Sequence, residues 1–340
     1  MSLVQALGAT LSQTLLSIIP NEDIGTICIL DVPDYANVGD PAILVGEIDF
    51  FRKNFPKAKL VLVSYRNYGP EVDAEIEAAD VLFLHGGGSF GDIWPAHHGF
   101  RLQMLKRFAH RTIIQLPQSL HFSSSEVMQE TATAIAAVKD FQLITRDQRS
   151  FDLAARSFDC ALHLSPDMAF AIGPLPQQRT SVDFLCLLRT DKEALTENSR
   201  QIVSIVEESG STYTIADWLV EQKNVEKIHA IVRKLVKAGL SKKFLARHGA
   251  FIYETYARSR LEFGIKLLSN GRTVITDRLH GHILSTLLGK KQFVFDSMDG
   301  KIRQYNQTWL SSHQDAVFLA NVSDLASHIS KSSHLAQTAA

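Results

Sequence analysis

The sequence predicts an α/β protein made of two doubly wound units, and three observations lead there. Through the first half, short apolar runs alternate with stretches of helical periodicity, as a parallel sheet with crossover helices requires. A proline-rich polar break, GPLPQQR (173–179), is then followed by a fresh apolar run, so the alternation starts again. Lastly, ITDRLHGHILSTLLGKKQFVFDS (275–297) reads strand, helix, strand, with Arg278 and His280 at the junction where a strand enters a helix. Ligands of open α/β sheets sit outside the carboxyl ends of the strands, where the next helix offers free N–H groups to an anion.

The chain has 340 residues, too many for one ordinary core, and two domains of about 150 residues are the expectation. Residues 1–175 form the first and 176–340 the second, with the break near 173–180. Strands are expected at Thr26–Val32, Lys59–Tyr65, Val81–His85, Thr112–Leu116 and Phe141–Thr145, then near 182–188, 212–215, 272–276 and 292–296. A long helical stretch runs from about Ser241 to Leu268, and Gly271 follows closely enough to end it. Leu3, Leu7, Leu11, Leu15 and Ile18 recur at helical spacing. Core packing is the favoured use of that apolar face, with loose membrane contact as the alternative. Two Rossmann-like halves facing across a cleft, trimmed by this helix and by a C-terminal helix near 322–330, account for the order.

Hydrophobic content of 45% and charged content of 21% are those of a globular protein. Thirty-five basic and thirty-six acidic side chains leave a net charge of −1, so no broad basic field exists for nucleic acid, and any anion must be met by a local cluster. Cys28, Cys160 and Cys186 lie far apart in apolar runs, without zinc-site spacing. The apolar N-terminus lacks the basic start of a signal peptide, and no apolar run reaches the roughly 18 residues that span a bilayer.

Asn37-Val38-Gly39-Asp40-Pro41 follows the first strand and opens a helix, with Asp40 suited to the N-cap and Pro41 to the first helical position. His85-Gly86-Gly87-Gly88-Ser89-Phe90-Gly91-Asp92 puts three glycines after a strand, where a ligand or a second backbone can come very close. It is neither GxGxxG nor a P-loop, so no nucleotide follows from it. Trp94, His97 and His98 come next, and an aromatic face beside polar groups suits a sugar as well as a solvated surface loop. Gln115-Leu116-Pro117-Gln118-Ser119 ends a further strand and reads most simply as structural. Arg146 and Arg189 end strands in the two halves, each as an ion-paired residue or an anion ligand, and Asp167 is a cleft residue or a turn cap. No HExxH, GxSxG or paired-carboxylate spacing is present.

In order and spacing, NVGDPAI, HGGGSFGDIWPAHHGFR, LPQSLHF, ITRDQRSF, SPDMAF, TDRLHGHIL and FDSMDGKIRQYNQTW resemble the polysaccharide pyruvyl transferase family, from about residue 35 to 310. Ser89 stands where the family more often has Asn. The resemblance implies two Rossmann-like domains of the GT-B type. It implies transfer of a pyruvyl group from phosphoenolpyruvate to two hydroxyls of a sugar, making a cyclic ketal in exopolysaccharide biosynthesis. It further implies a cytoplasmic enzyme acting on a nascent, lipid-linked acceptor at the inner face of the membrane, with phosphoenolpyruvate as co-substrate and no other cofactor or metal. Peripheral membrane contact and a homo-oligomer stay open. Arg146, Arg278 with His280, and Lys301 match residues that hold or activate phosphoenolpyruvate, and Arg189 adds a further cation. Asn37, Asp40, His85, Trp94 and His97 are expected on the acceptor side. His280 is the expected acid toward the methylene carbon, since histidine ordinarily titrates near neutrality. The expected base toward the acceptor is Asp92 or Asp40. Rival readings are a GT-B glycosyltransferase using a nucleotide sugar, a non-catalytic glycan-binding protein and, more remotely, a dinucleotide-dependent oxidoreductase.

Overall fold

The structure, a computed structural model, describes residues 1–20, 23–190, 195–219, 234 and 241–337. The chain forms two compact units. Unit 1 comprises Met1–Ile172 with the described part of Glu221–Leu261, and unit 2 comprises the described parts of Gly173–Val220 and Glu262–Ala340.

Unit 1 is built on a parallel sheet with strands β1 (Thr26–Leu30), β2 (Lys59–Val63), β3 (Val81–Leu84), β4 (Gly87–Gly91), β5 (Thr112–His121), β6 (Asp140–Thr145) and β7 (Ala161–Leu164). The order is β2-β1-β3-β5-β6-β7, with β4 continuing beside the far half of β5. The order reverses at β1, whose neighbours are β2 and β3, so the switch point where a doubly wound sheet takes ligands lies at the carboxyl ends of β1 and β3. The central strands β1 and β3 are short apolar runs buried on both faces, as parallel strands are. Helices α1 (Leu3–Ile18), α2 (Gly39–Asn54), α3 (Asp73–Glu77), α4 (Pro95–Arg107), α5 (Ser125–Ala136) and α6 (Gln148–Ser157) complete the first 172 residues. In α1, Leu7, Leu11 and Leu15 are buried and Ser2 closes a capping box with Gln5. Core packing is therefore the use of that apolar face.

Unit 2 carries a second parallel sheet of β8 (Val182–Leu187), β9 (Tyr213–Ala216), β10 (Gly271–Thr276), β11 (Lys291–Val294) and β12 (Ala316–Phe318), in the order β12-β11-β10-β8-β9. Its switch point lies between β8 and β10. Its helices include α7 (Thr196–Glu208), α10 (Leu279–Leu287), α11 (Lys301–Tyr305) and α12 (Asp324–Gln337). Two further helices, α8 (Lys242–His248) and α9 (Ala250–Asn270), lie between β9 and β10 in the chain. Up to Leu261 they group with unit 1: Arg247 pairs with Glu75, Asn67 donates to Tyr253, and Arg260 donates to the Asn37 carbonyl. No helix among the described residues is long and apolar enough to cross a membrane.

All nine expected strands are present. The helical stretch expected from about Ser241 to Leu268 is divided into α8 and α9 at Gly249, the C-cap of α8, and three further elements differ from the sequence reading. The glycine-rich segment is not a loop but strand β4, because Pro117, which lacks an N–H, shifts the β5 register and lets β4 pair from Gln118 onward. The strands β7 and β12 were not expected: β7 is a half-exposed edge and β12 spans three residues, too little apolar pattern to read.

One close approach fixes how α2 seats in unit 1. A Cβ on Gly46 would stand 2.0 Å from the Met168 carbonyl oxygen, in the 3₁₀ turn Met168–Ile172. A glycine inside a helix costs about 1 kcal/mol against alanine, and overpacking a rigid backbone costs about 1–3 kcal/mol. Gly46→Ala should therefore lower the urea midpoint despite its better helix propensity. Gly99→Ala in α4, where nothing lies within 4 Å of the added carbon, should raise it; equal shifts in one direction would refute the packing argument.

Candidate functional site

At the unit 1 switch point the chain turns sharply after β1, where Asp31 adopts a left-handed conformation with φ 68°. That orientation aims its buried carboxylate at α4: His97 Nδ1 donates to Asp31 Oδ1 at 2.8 Å, and Arg101 Nη2 lies 3.0 Å from Oδ2. Arg101 is fully buried and also donates to Ser89 Oγ (2.8 Å) and to the His85 carbonyl (3.1 Å). The His97 ring meets the Tyr35 and Tyr65 rings edge-on.

Glu47, wholly buried in α2, accepts from His85 Nδ1 at 2.8 Å and from the Gly86 N–H at 2.9 Å. Burial works against a charge on His85, and Glu47, followed by Asp40 and Asp31, more than offsets it, so the imidazole pKa is raised. His85 Nε2 is buried without a hydrogen-bond partner. Gly86 has no room for a side chain, since a Cβ there would lie 2.8 Å from the Pro117 carbonyl oxygen, and Gly87 adopts φ 121°, which L side chains rarely take. The close approach foreseen for this glycine run is made by a second backbone.

Asp40 does not cap α2. Val38 occupies the N-cap, and Asn37 Oδ1 accepts from the Val38 and Gly39 N–H groups at 2.7 and 3.1 Å. Because Asn37 already satisfies these donors, Asp40 instead accepts from Tyr35 Oη and Asn37 Nδ2, both at 2.8 Å. Burial, reinforced by Asp40, raises the Tyr35 pKa and keeps the phenol a donor.

Asp92 serves a turn. Its Oδ2 accepts from the Ser123 N–H, the Ser123 hydroxyl and the Ser124 N–H at 2.6–2.8 Å, just before α5. Partial burial would raise its pKa, but these bonds lower it. Trp94 starts α4 with its ring partly exposed. His98 is buried, its Nδ1 accepting from the Gly91 N–H at 3.1 Å and its Nε2 meeting Thr131 Oγ1 at 2.9 Å. Arg146 is buried and bound to Asp167 at 2.7 Å and to Ser119 Oγ at 2.9 Å.

In unit 2 two aspartates tie three strand ends together. Asp277, directly after β10, accepts the Arg189 N–H at 2.8 Å. Asp217, directly after β9, accepts from the Thr190 N–H, the Thr190 hydroxyl and, at 2.7 Å, Arg278 Nη2. The Arg278 guanidinium also lies 5.9 Å from the Trp218 ring centre. Burial pushes the Asp277 carboxyl up to about 6, although the Arg189 N–H and the charges of Arg278 and Arg189 pull it down. His280 is half-buried in the first turn of α10. A cavity of about 660 Å³ opens beside these strand ends, lined among others by Arg189, Thr190, Thr196, Ser199, Arg200 and Asp217. Lys301, after left-handed Gly300, lies 3.3 Å from Asp299.

The structure thus gathers Asn37, Asp40, His85 and His97 in unit 1 and Arg189, Arg278 and His280 in unit 2, while Asp92 stands apart as a turn anchor. Asp31, Glu47, Arg101 and Asp217 join these clusters without having been singled out. Glu47 carried a signal: an acid inside the apolar stripe of Leu44, Ile48 and Phe51. Among the described residues no three His, Cys, Asp or Glu side chains gather as metal ligands.

Residues 37–299 match the family model for polysaccharide pyruvyl transferase. Pyruvyl transferase 1 of Schizosaccharomyces pombe is 29% identical over 306 residues, covering 84% of this chain and 69% of that protein. EpsO of Bacillus subtilis, whose name assigns pyruvyl transfer provisionally, is 28% identical over 301 residues, covering 87% of this chain and 88% of that protein. A crystal structure of an uncharacterized protein from Klebsiella pneumoniae aligns with a TM-score of 0.59 at 18% identity, covering 93% of this chain and 99% of that one. That last likeness concerns the fold alone.

His98 gives a pH test of this packing. Burial lowers its pKa to about 4, so between about 6.5 and 4 the unfolded chain binds a proton that the folded one refuses. Stability from this group is complete above about pH 6.5 and is lost as pH falls toward 4, by about 1.4 kcal/mol per pH unit. His98→Asn, which keeps an acceptor for Gly91, should flatten the fall of urea midpoint between pH 7 and 5; an unchanged slope would assign the loss elsewhere.

Proposed function

The chain belongs to the polysaccharide pyruvyl transferase family, and on that premise we propose that it moves a pyruvyl group from phosphoenolpyruvate onto two hydroxyls of a sugar in a growing glycan, forming a cyclic ketal. The observation that carries the reading is the cluster at the unit 2 switch point, where Arg189, Arg278 and His280 collect around strand ends already held by Asp217 and Asp277. Phosphoenolpyruvate bears a phosphate and a carboxylate. Guanidinium forks suit both, and each charge-assisted bond contributes on the order of 1.5–3 kcal/mol. Lys301 adds a point charge, and Arg146 is held by Asp167 at 2.7 Å as Arg278 is held by Asp217.

In this mechanism His280 protonates the methylene carbon, converting it to a methyl group and leaving an oxocarbenium-like centre at the neighbouring carbon. One acceptor hydroxyl adds there and gives up its proton. Phosphate then leaves, and the second hydroxyl closes the ketal, its proton going to the departing phosphate. Asp92 Oδ2 is committed to the turn before α5, which argues against it as the base toward the acceptor. The donor is a metabolite of the cytoplasm, which is where this activity would operate.

Thermal unfolding with each ligand tests the reading, because a ligand at a hundred times its Kd adds about 2.7 kcal/mol. Phosphoenolpyruvate should raise the Tm of the wild type, raise that of Arg278→Ala far less, and nucleotide sugars should do neither. Stabilisation by a nucleotide sugar alone would favour glycosyl transfer. His280→Ala should lose about 10²–10⁴ in turnover with little change in KM for phosphoenolpyruvate; full turnover would remove the imidazole from the acid role.

A further inference from the structure

The stretch SKKFLARHGAFIY (241–253) carries two lysines, an arginine and a histidine, and no acid. Its helical register runs through Gly249, whose N–H donates to the Leu245 carbonyl at 2.6 Å and whose own carbonyl accepts from the Tyr253 N–H at 3.2 Å. Residues three, four and seven apart therefore share a face. Leu245, Ala246 and Tyr253 are buried on the inner side. Lys243, Phe244, Arg247, His248 and Phe251 are exposed on the outer one, where Phe251 is 74% and Phe244 55% accessible. The Phe244 ring lies 4.8 Å from the His248 ring, so aromatic and basic groups alternate along one ridge.

The charge of this ridge is not cancelled from beneath. Glu75 meets Arg247 at 2.7 Å and Lys243 at 3.9 Å, and Lys59 is within electrostatic reach of it, so one carboxylate stands among three cations. Lys242 adds a fourth, its Nζ donating to the Tyr68 carbonyl at 2.8 Å. The next acid along the helix, Glu254, is taken by Arg52 and Arg258. A chain with almost no net charge thus gathers cations beside two rings that it leaves in water.

A solvated basic face needs no phenylalanine, and core packing needs no lysine. An apolar phase bordered by anions answers both: rings enter the acyl boundary while flexible Lys and Arg stems carry their charges to headgroup phosphates. A protein partner would have to present matching pockets and acids at fixed places, whereas a bilayer surface needs neither. We propose that the α8–α9 ridge docks this protein on an anionic membrane surface, with Phe244 and Phe251 as inserted anchors and Lys243 and Arg247 facing the headgroups. The ridge lies within unit 1, and the proposal does not depend on the pyruvyl-transfer reading.

The test is co-sedimentation of the full chain with vesicles of phosphatidylcholine alone and of phosphatidylcholine mixed with phosphatidylglycerol. Wild type should sediment with the mixed vesicles, far less with the neutral ones, and be released as NaCl is raised. The double variant Phe244→Ser, Phe251→Ser should bind mixed vesicles about tenfold more weakly or worse. Lys243→Gln should bind them about fivefold more weakly, the order expected of one lysine near an anionic surface. These side chains are exposed, so urea midpoints should match wild type, which separates lost docking from lost folding. Phosphoenolpyruvate stabilisation should be the same in all three proteins. No sedimentation of wild type with mixed vesicles would overturn the proposal and leave the ridge to a protein partner. Equal binding to both vesicle types, or full binding by the double phenylalanine variant, would overturn it as well. Vesicle docking without any stabilisation by phosphoenolpyruvate would count against pyruvyl transfer and leave the membrane face standing.

Discussion

Glu47 is a carboxylate buried beyond the reach of water, and unit 1 is arranged around keeping it paired. An uncompensated charge in such a place costs several kcal/mol, more than most single contacts return. Glu47 is answered from one neighbourhood, by His85 Nδ1 and the Gly86 N–H. That demand fixes the exit of β3, which in turn brings Gly86 over the Pro117 carbonyl and Gly87 opposite Gln118. The same exit carries the His85 carbonyl to Arg101, whose charge is met by Asp31. The glycines are consequences of this arrangement: only a chain without side chains can pass between α2 and β5 at that separation.

The two units solve one problem with opposite signs. Each ends strands at a switch point with aspartates that hold neighbouring elements, Asp31 in unit 1 and Asp217 and Asp277 in unit 2. In unit 2 the groups they hold are guanidinium-bearing residues, Arg189 and Arg278. In unit 1 carboxylates outnumber cations around His85. A chain with almost no net charge thus holds two differently charged neighbourhoods by local sorting.

Much of this was legible in the sequence where apolar periodicity speaks. All nine expected strands are present, as is the N-terminal helix, while the helical stretch expected from about Ser241 to Leu268 is broken at Gly249 into two helices. The junction at Arg278 and His280 was also readable, because a strand running into a helix leaves both signals intact. What escaped depended on contacts distant in the chain. Asp40 beside Pro41 has every local mark of an N-cap, yet Asn37 takes those N–H groups first. Asp31 looked like part of its strand, since nothing local announces a left-handed aspartate. Gln118 read as a polar strand end, and the burial of its amide without a hydrogen-bond partner is visible only once its neighbours are known.

The grouping of residues 241–261 with unit 1 bears on how the chain is made. Glu75, Asn67 and the Asn37 carbonyl find their partners in Arg247, Tyr253 and Arg260, more than a hundred residues downstream. A nascent polypeptide delivers β8, α7 and β9 of the other unit before those partners emerge. Unit 1 therefore cannot finish on the ribosome in simple N-to-C order. Its first 172 residues must wait, with the ends of α2 and β2 incompletely covered, until translation has passed through the opening strands of its neighbour. Chaperone dependence during synthesis would follow from that interval.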